Sequence, residues 1–157
     1  TDPHYSILIQ HLTTLNKAGE ALGKIKGVHA MTDVTGFGIL GHAIEMAEGS
    51  GISMTLDYAS LQKMEGTDSY LQQRTVPDAT FRNWNSYSSK VQFEKGVNVM
   101  EAFTLLPDPQ TNGGLLIAVA PEVAEEVKTV LAAHGLGAFT QPIGMCMERG
   151  EKLILVR

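Results

Sequence analysis

The apolar positions of this chain change their period several times, and each change predicts an element. From Pro3 to about Leu22, the residues Ile7, Leu8, Leu12, Leu15, Ala18 and Leu22 recur at helical spacing and predict one helix with a single apolar stripe. Asp2 is its expected N-cap, Pro3 its first residue and Gly23 its stop. Ala30 to Thr35 reads as a short strand ending in a glycine turn. A helix from about Phe37 to Glu48 follows, with Ile39, Leu40, Ala43, Ile44, Met46 and Ala47 as a broad apolar face. Glu48-Gly49-Ser50-Gly51 ends it. Ile52 to Tyr58 then alternates, with Ile52, Met54 and Leu56 set against Ser53, Thr55 and Asp57, as a half-buried strand does.

The pattern weakens after that. Ser60 to about Gln73 reads as broken helix, two short turns around Gly66. Val76 to Tyr87 is polar with interleaved aromatics and reads mostly as loop and short helix. Lys90 to Gly96 gives no assignment. Val97 to Leu106 is a short helix closed by Pro107 and Pro109. Gln110 to Gly114 is a tight turn into the apolar strand Leu115 to Ala120. Pro121 opens a helix with Glu122, Glu125 and Glu126 early and Lys128 later, matching the helix dipole, and Gly135 stops it. Phe139 to Met147 and Lys152 to Val156 are closing strands, placed as a hairpin around Arg149-Gly150. Alternating strands and helices predict a single α/β (α+β) domain, with helices packed on a mixed β-sheet.

Composition narrows the picture. At 157 residues the chain suits one domain able to bury about two-thirds of its unfolded surface. A 43% hydrophobic and 18% charged content is that of an ordinary globular chain. The net charge of −5, with no cluster of Lys or Arg, argues against a nucleic-acid partner. The single Cys146 excludes an intrachain disulfide or a Cys-cluster metal site and fits a reducing, cytoplasmic setting. No apolar run approaches the roughly 20 residues of a membrane span, and no leader pattern opens the chain. It starts on Thr-Asp-Pro without Met and is read as part of a longer protein.

The chemistry concentrates in Ala30 to His42. Asp33 closes the strand, and Gly36 and Gly38 remove side chains that would hold a ligand off the backbone. The following helix N-terminus offers unpaired N–H groups and a positive dipole end, suited to phosphate. A carboxylate beside an anion-binding turn calls for a bridging cation, and Mg²⁺ fits, being held by one or two carboxylates plus substrate phosphates. Gly36-x-Gly38-x-x-Gly41 with Asp57 also satisfies the dinucleotide spacing. Against that reading, the preceding strand is interrupted by Thr32, Asp33 and Thr35, where a buried apolar run is expected. Asp57 reads as a strand-end or turn residue, His42 as a packed, hydrogen-bonded histidine, and His134 as a helix cap. His4 and His11 read as solvated or capping, and Cys146 as a small strand hydrophobe. Arg82 is left open between facing phosphate or another part of a longer protein and stacking on Trp84. Gly113-Gly114 reads as a hairpin or bulge.

Thr32 to His42, TDVTGFGILGH, and Pro109 to Leu116, PQTNGGLL, resemble the C-terminal half of the selenophosphate synthetase (selenide, water dikinase) family, within the aminoimidazole ribonucleotide synthetase-like superfamily. The likeness runs from about Gly27 to the C-terminus. The aminoimidazole ribonucleotide synthetases and hydrogenase-maturation enzymes share the fold but carry different words in the first slot. The resemblance implies that residues 1–157 are a C-terminal domain, inactive alone, whose ATP-binding and catalytic N-terminal domain is absent. No catalytic residue is then expected here. The full enzyme would convert selenide, ATP and water to selenophosphate, AMP and phosphate with Mg²⁺, as a cytoplasmic homodimer. Residue by residue, Asp33 matches a Mg²⁺ ligand, and Gly36, Phe37 and Gly38 match the turn beside it. Thr111, Asn112, Gly113 and Gly114 match a second loop lining the nucleotide and metal cleft, with Asn112 where the family word has Ser. The alternatives are a non-catalytic binding or regulatory domain of the same fold, and another ATP-using member of the superfamily.

Overall fold

The computed structural model describes residues 3–157. In chain order its regular elements are α1 (Pro3–Thr13), α2 (Ala18–Leu22), β1 (Val28–Asp33), α3 (Gly38–Ser50), β2 (Ser53–Leu56), α4 (Thr67–Gln72), α5 (Asp78–Tyr87), β3 (Val91–Phe93), α6 (Val99–Leu105), β4 (Leu115–Val119), α7 (Ala124–Ala133), β5 (Cys146–Met147) and β6 (Ile154–Val156). The strands form two sheets. One is mixed, ordered β3-β6-β2-β5, with β6 parallel to both β3 and β2, and β5 antiparallel to β2. The other is an antiparallel ladder of β1 and β4.

Each sheet has its own core. Ile154 and Val156 are completely buried in the middle of the mixed sheet, where Leu40, Ala43, Ile44 and Ala47 of α3 pack against them and Leu106 closes one end. The apolar face read for α3 is this contact. The ladder is backed by Ala18 and Leu22 of α2 and Val127 and Leu131 of α7, which pack on Met31, Leu115 and Ile117. Helices on a mixed sheet are as expected; the separate ladder is not distinguishable in sequence, because pairing partners are remote.

Several local expectations are corrected. The long first helix is two pieces. The Thr13 and Thr14 hydroxyls donate back to the Ile9 and Gln10 carbonyls, at 2.8 and 2.7 Å, which competes with continuing the helix. Asn112 then captures the His11 and Thr14 carbonyls. The expected Asp2 cap lies outside the described residues. Val76 to Tyr87 is mainly the ten-residue helix α5, which turns Thr80, Trp84 and Tyr87, at i, i+4 and i+7, toward the core. The unassigned Lys90 stretch contains β3, a strand defined by its parallel partner β6. The expected closing hairpin does not form: β2 lies between β5 and β6. Cys146 is on a strand but exposed rather than packed. The breaks at Gly51 and Gly135 are as read, with φ of 67° and 77° that favour glycine.

Candidate functional site

Asp33 is the last residue of β1, exposed, and opposite Leu115 in the ladder. Its carboxylate has no hydrogen-bond or ion-pair partner among the described residues. The next residue couples the two loops. Val34 donates its N–H to the Gly114 carbonyl and accepts from the Gly113 N–H, both at 2.9 Å. Thr35 accepts at its carbonyl from both Gly38 and Gln110, at 3.0 Å each. The two motifs, some eighty residues apart, therefore form one bonded structure beside Asp33.

The glycines have different reasons to be there. Gly38 has φ of 69°, and a Cβ on it would lie 2.7 Å from the Leu106 carbonyl oxygen. A Cβ on Gly113 would meet the Val34 carbonyl oxygen at the same distance. These two are needed for packing. Gly36 has nothing within 4 Å of the space a Cβ would fill, so its openness faces outward. The N–H groups of Gly36, Phe37, Thr111 and Asn112 donate to no backbone carbonyl among the described residues. They remain available to an anion.

A buttress behind the turn was not identified in sequence. Asn83 donates from Nδ2 to the carbonyls of Gly36 and Pro107, at 2.8 and 2.9 Å. The Tyr87 hydroxyl donates to the Phe37 carbonyl at 2.8 Å, and burial pushes its ionisation upward. Thr80 and Gln110 donate to the Asp108 carboxylate at 3.1 and 2.7 Å. Burial raises the Asp108 pKa, and those two bonds oppose the rise. Within the Thr80-to-Asn83 stretch, Asn83 is the residue that touches the turn. Arg82 is exposed and makes no ion pair or ring contact among the described residues. Its stacking on Trp84 is therefore not found; Trp84 packs on Phe93 and Phe103 instead.

His42 is 7% exposed, with Nε2 at 3.2 Å from the Thr35 hydroxyl. Glu45 brings a carboxylate oxygen to 2.9 Å of Nδ1, though not in the alignment of a hydrogen bond. It is a packed histidine under the turn, as read. Asp57 pairs with Arg157 at the C-terminus, which disposes of it as a ribose ligand. His134 ends α7 with Nδ1 at 2.8 Å from the Val130 carbonyl. Asn112 departs from expectation. Its side-chain amide is committed to α1, at 3.0 Å from the His11 carbonyl and 2.6 Å from that of Thr14. Its contribution to an anion site is limited to the backbone.

The donor set fits part of a Mg–phosphate site. Asp33 offers one unpaired carboxylate, and four free N–H groups stand on the adjoining loops. Among the described residues no group of three or more His, Cys, Asp or Glu gathers to hold a metal, so Asp33 could be one ligand of several. No helix of the described residues is long and apolar enough to cross a membrane.

Comparison with known proteins gives the chain's family. Residues 9–155 match the family described as AIR synthase related protein, C-terminal domain. Curated relatives are called selenide, water dikinase. That of Pseudomonas putida is 46% identical over 145 residues, covering 92% of this chain and 40% of the relative. That of Aeromonas hydrophila is 43% identical over 156 residues, covering 98% and 43%. The chain thus spans about two-fifths of the length of these relatives. The crystal structure of Escherichia coli HypE superposes with a TM-score of 0.60 at 22% identity, covering 94% of this chain and 40% of that one. At that identity the superposition establishes a shared fold alone. With 147 of its 157 residues inside the matched model, the chain belongs to the AIR synthase related protein C-terminal domain family.

Proposed function

We propose that this chain is the C-terminal part of an ATP-dependent enzyme that makes selenophosphate from selenide, ATP and water, with AMP and phosphate as the other products. The supporting observation is the junction of the two motif loops at Val34, which leaves Asp33 unpaired beside free backbone N–H groups. The names and 43–46% identities of the Pseudomonas and Aeromonas relatives point to this chemistry.

Phosphoryl transfer of this kind depends on positioning and on neutralising charge. Mg²⁺, when bound, would supply Lewis-acid neutralisation of the phosphate oxygens. Asp33 would hold it, and the N–H groups of Gly36, Phe37, Thr111 and Asn112 would orient phosphate oxygens. Asn83 and Tyr87 keep the first loop in that shape by bonding the Gly36 and Phe37 carbonyls, and the bond to the Gly36 carbonyl leaves the N–H of the same peptide, Phe37's, on the side away from Asn83. The remaining metal ligands, the nucleophile-handling groups and the main dimer contacts belong, on this reading, to an N-terminal domain. The chain by itself is inactive, and the full enzyme is a cytoplasmic homodimer.

Phosphorus NMR of ATP with Mg²⁺ and the full-length protein, run anaerobically with and without selenide, tests the proposal. Selenide-dependent formation of AMP, phosphate and a selenophosphate signal is expected. ATP consumed equally without selenide would assign the domain to another ATP-using member. Intact ATP in both samples would favour a non-catalytic binding role.

A further inference from the structure

Helix α1 leaves most of its apolar residues exposed. Tyr5, Leu8, Ile9 and Leu12 fall at i, i+3, i+4 and i+7, the spacing of one helical face. Leu15 extends that face beyond the helix end. All five are exposed, from 36% at Leu12 to 70% at Leu15, and no residue of α1 is buried. Only His4 and Ile7 of the helix are partly covered, and the helix is held to the body near its two ends. His4 lies at 3.0 Å from the Tyr70 hydroxyl and against Gly66, and Asn112 binds the carbonyls at the other end. A contiguous outward apolar stripe of this kind marks an interaction surface.

Two further observations say what covers it. The helix is tied through Asn112 to the loop whose next residue, Gly113, bonds Val34 beside Asp33. Asp33 is a single ligand, so whatever completes the metal site must approach α1's anchored end. The relatives carry about three-fifths of their length outside the stretch this chain matches. We infer that the outward face of α1 is the docking surface for the nucleotide-binding portion of the longer enzyme, and that the portion completing the Asp33 site also covers Tyr5, Leu8, Ile9, Leu12 and Leu15. This rests on the proposed function only in supposing that another portion completes the site. Asn112 then couples docking to the site by holding α1 against the second loop.

Thiol labelling tests it. Leu8→Cys and Leu15→Cys are each placed in a Cys146→Ser background, because Cys146 is exposed. Each is labelled with a maleimide in the lone chain, and in a fusion where the chain replaces the matching part of the Aeromonas hydrophila enzyme. Labelling at both positions should slow by at least about tenfold in the fusion, as covered sites do. Equal rates in the two forms would overturn the inference. So would a lone chain that sediments as a dimer with both positions already protected, which would make a second copy the occupant. The same labelling at the matching positions of the intact Aeromonas hydrophila enzyme reads the same protection or exposure without depending on how the fusion folds. Selenide-dependent ATP turnover by the fusion is scored separately. Protected thiols without turnover would leave the docking surface standing and remove the selenium reading; turnover with open thiols would do the reverse.

Discussion

Gly113 donates its N–H to the Val34 carbonyl at 2.9 Å, and a Cβ on Gly113 would meet that same oxygen at 2.7 Å. The second loop can therefore approach the first only as glycine. One contact makes the two motifs a single unit with Asp33 at its edge.

The glycines of the first loop should separate by substitution. Gly38→Ala forces a side chain onto positive φ and into the Leu106 and Asp108 carbonyls, and should cost about 2–4 kcal/mol. Gly36→Ala meets open space and should change stability by no more than about 0.5 kcal/mol. Urea unfolding followed by Trp84 fluorescence reads both, since Trp84 is the chain's single tryptophan and packs on Phe93 and Phe103. Equal losses would mean that the close approach at Gly38 is not what the fold requires.

Asp33→Asn should split function from stability. The exposed carboxylate has no partner among the described residues, so the stability of the chain should stay within about 0.5 kcal/mol of the parent. In the full-length enzyme the same change should lower selenide-dependent ATP turnover by at least about a hundredfold. Normal turnover would remove Asp33 from the metal site.

Asn83→Ala leaves the Gly36 and Pro107 carbonyls without their shared donor and should cost about 1–3 kcal/mol. The neighbouring Arg82→Ala, removing an exposed side chain with no ion pair, should leave chain stability nearly unchanged. Differential scanning calorimetry of the two variants would rank them; a larger loss at Arg82 would contradict the buttress.

Loss of the Asn112 amide should loosen α1 selectively. Asn112→Ala should raise amide hydrogen exchange across residues 3–14 while the amides of α3 and β6 keep their protection. Uniform loss of protection would mean that Asn112 stabilises the whole fold rather than one helix.

Acid and alkali should each weaken a second cluster, through different residues. Lys63 bonds Glu101, and Tyr58 donates to it at 2.7 Å; together they hold Glu101 below the ordinary carboxylate range. Its stabilisation is complete above the unfolded pKa and is lost as pH falls through the folded one. Lys63 is raised, chiefly by its bond to Glu101, so its share is complete below the ordinary lysine pKa and is lost as pH rises through the folded one. Partly exposed, the interaction should contribute about 1 kcal/mol. Glu101→Gln should flatten the fall in stability as pH drops through and below the ordinary glutamate range. An unchanged acid limb would show that the cluster contributes nothing.

What the sequence determined is what local chemistry determines. The apolar face of α3, the stops at Gly51 and Gly135, and the strand Leu115 to Val119 follow from spacing and backbone freedom. Asp33 and the glycine words stood out because a carboxylate beside a glycine turn is an unusual and purposeful combination. In α5 the inward residues Thr80, Trp84 and Tyr87 do fall at helical spacing, but they are few among polar neighbours and read as mostly loop with short helix; their burial and the Asn83 bonds fix the helix. β3 exists because β6 lies beside it, and β6 pairs with β2 rather than with β5 because non-local packing outweighs a short turn. The coupling of Gly113 to Val34, and the bonds from the Asn112 side chain to α1, are contacts between residues roughly eighty and a hundred positions apart. Spacing along a chain carries no information about such distances; only the packed structure decides them.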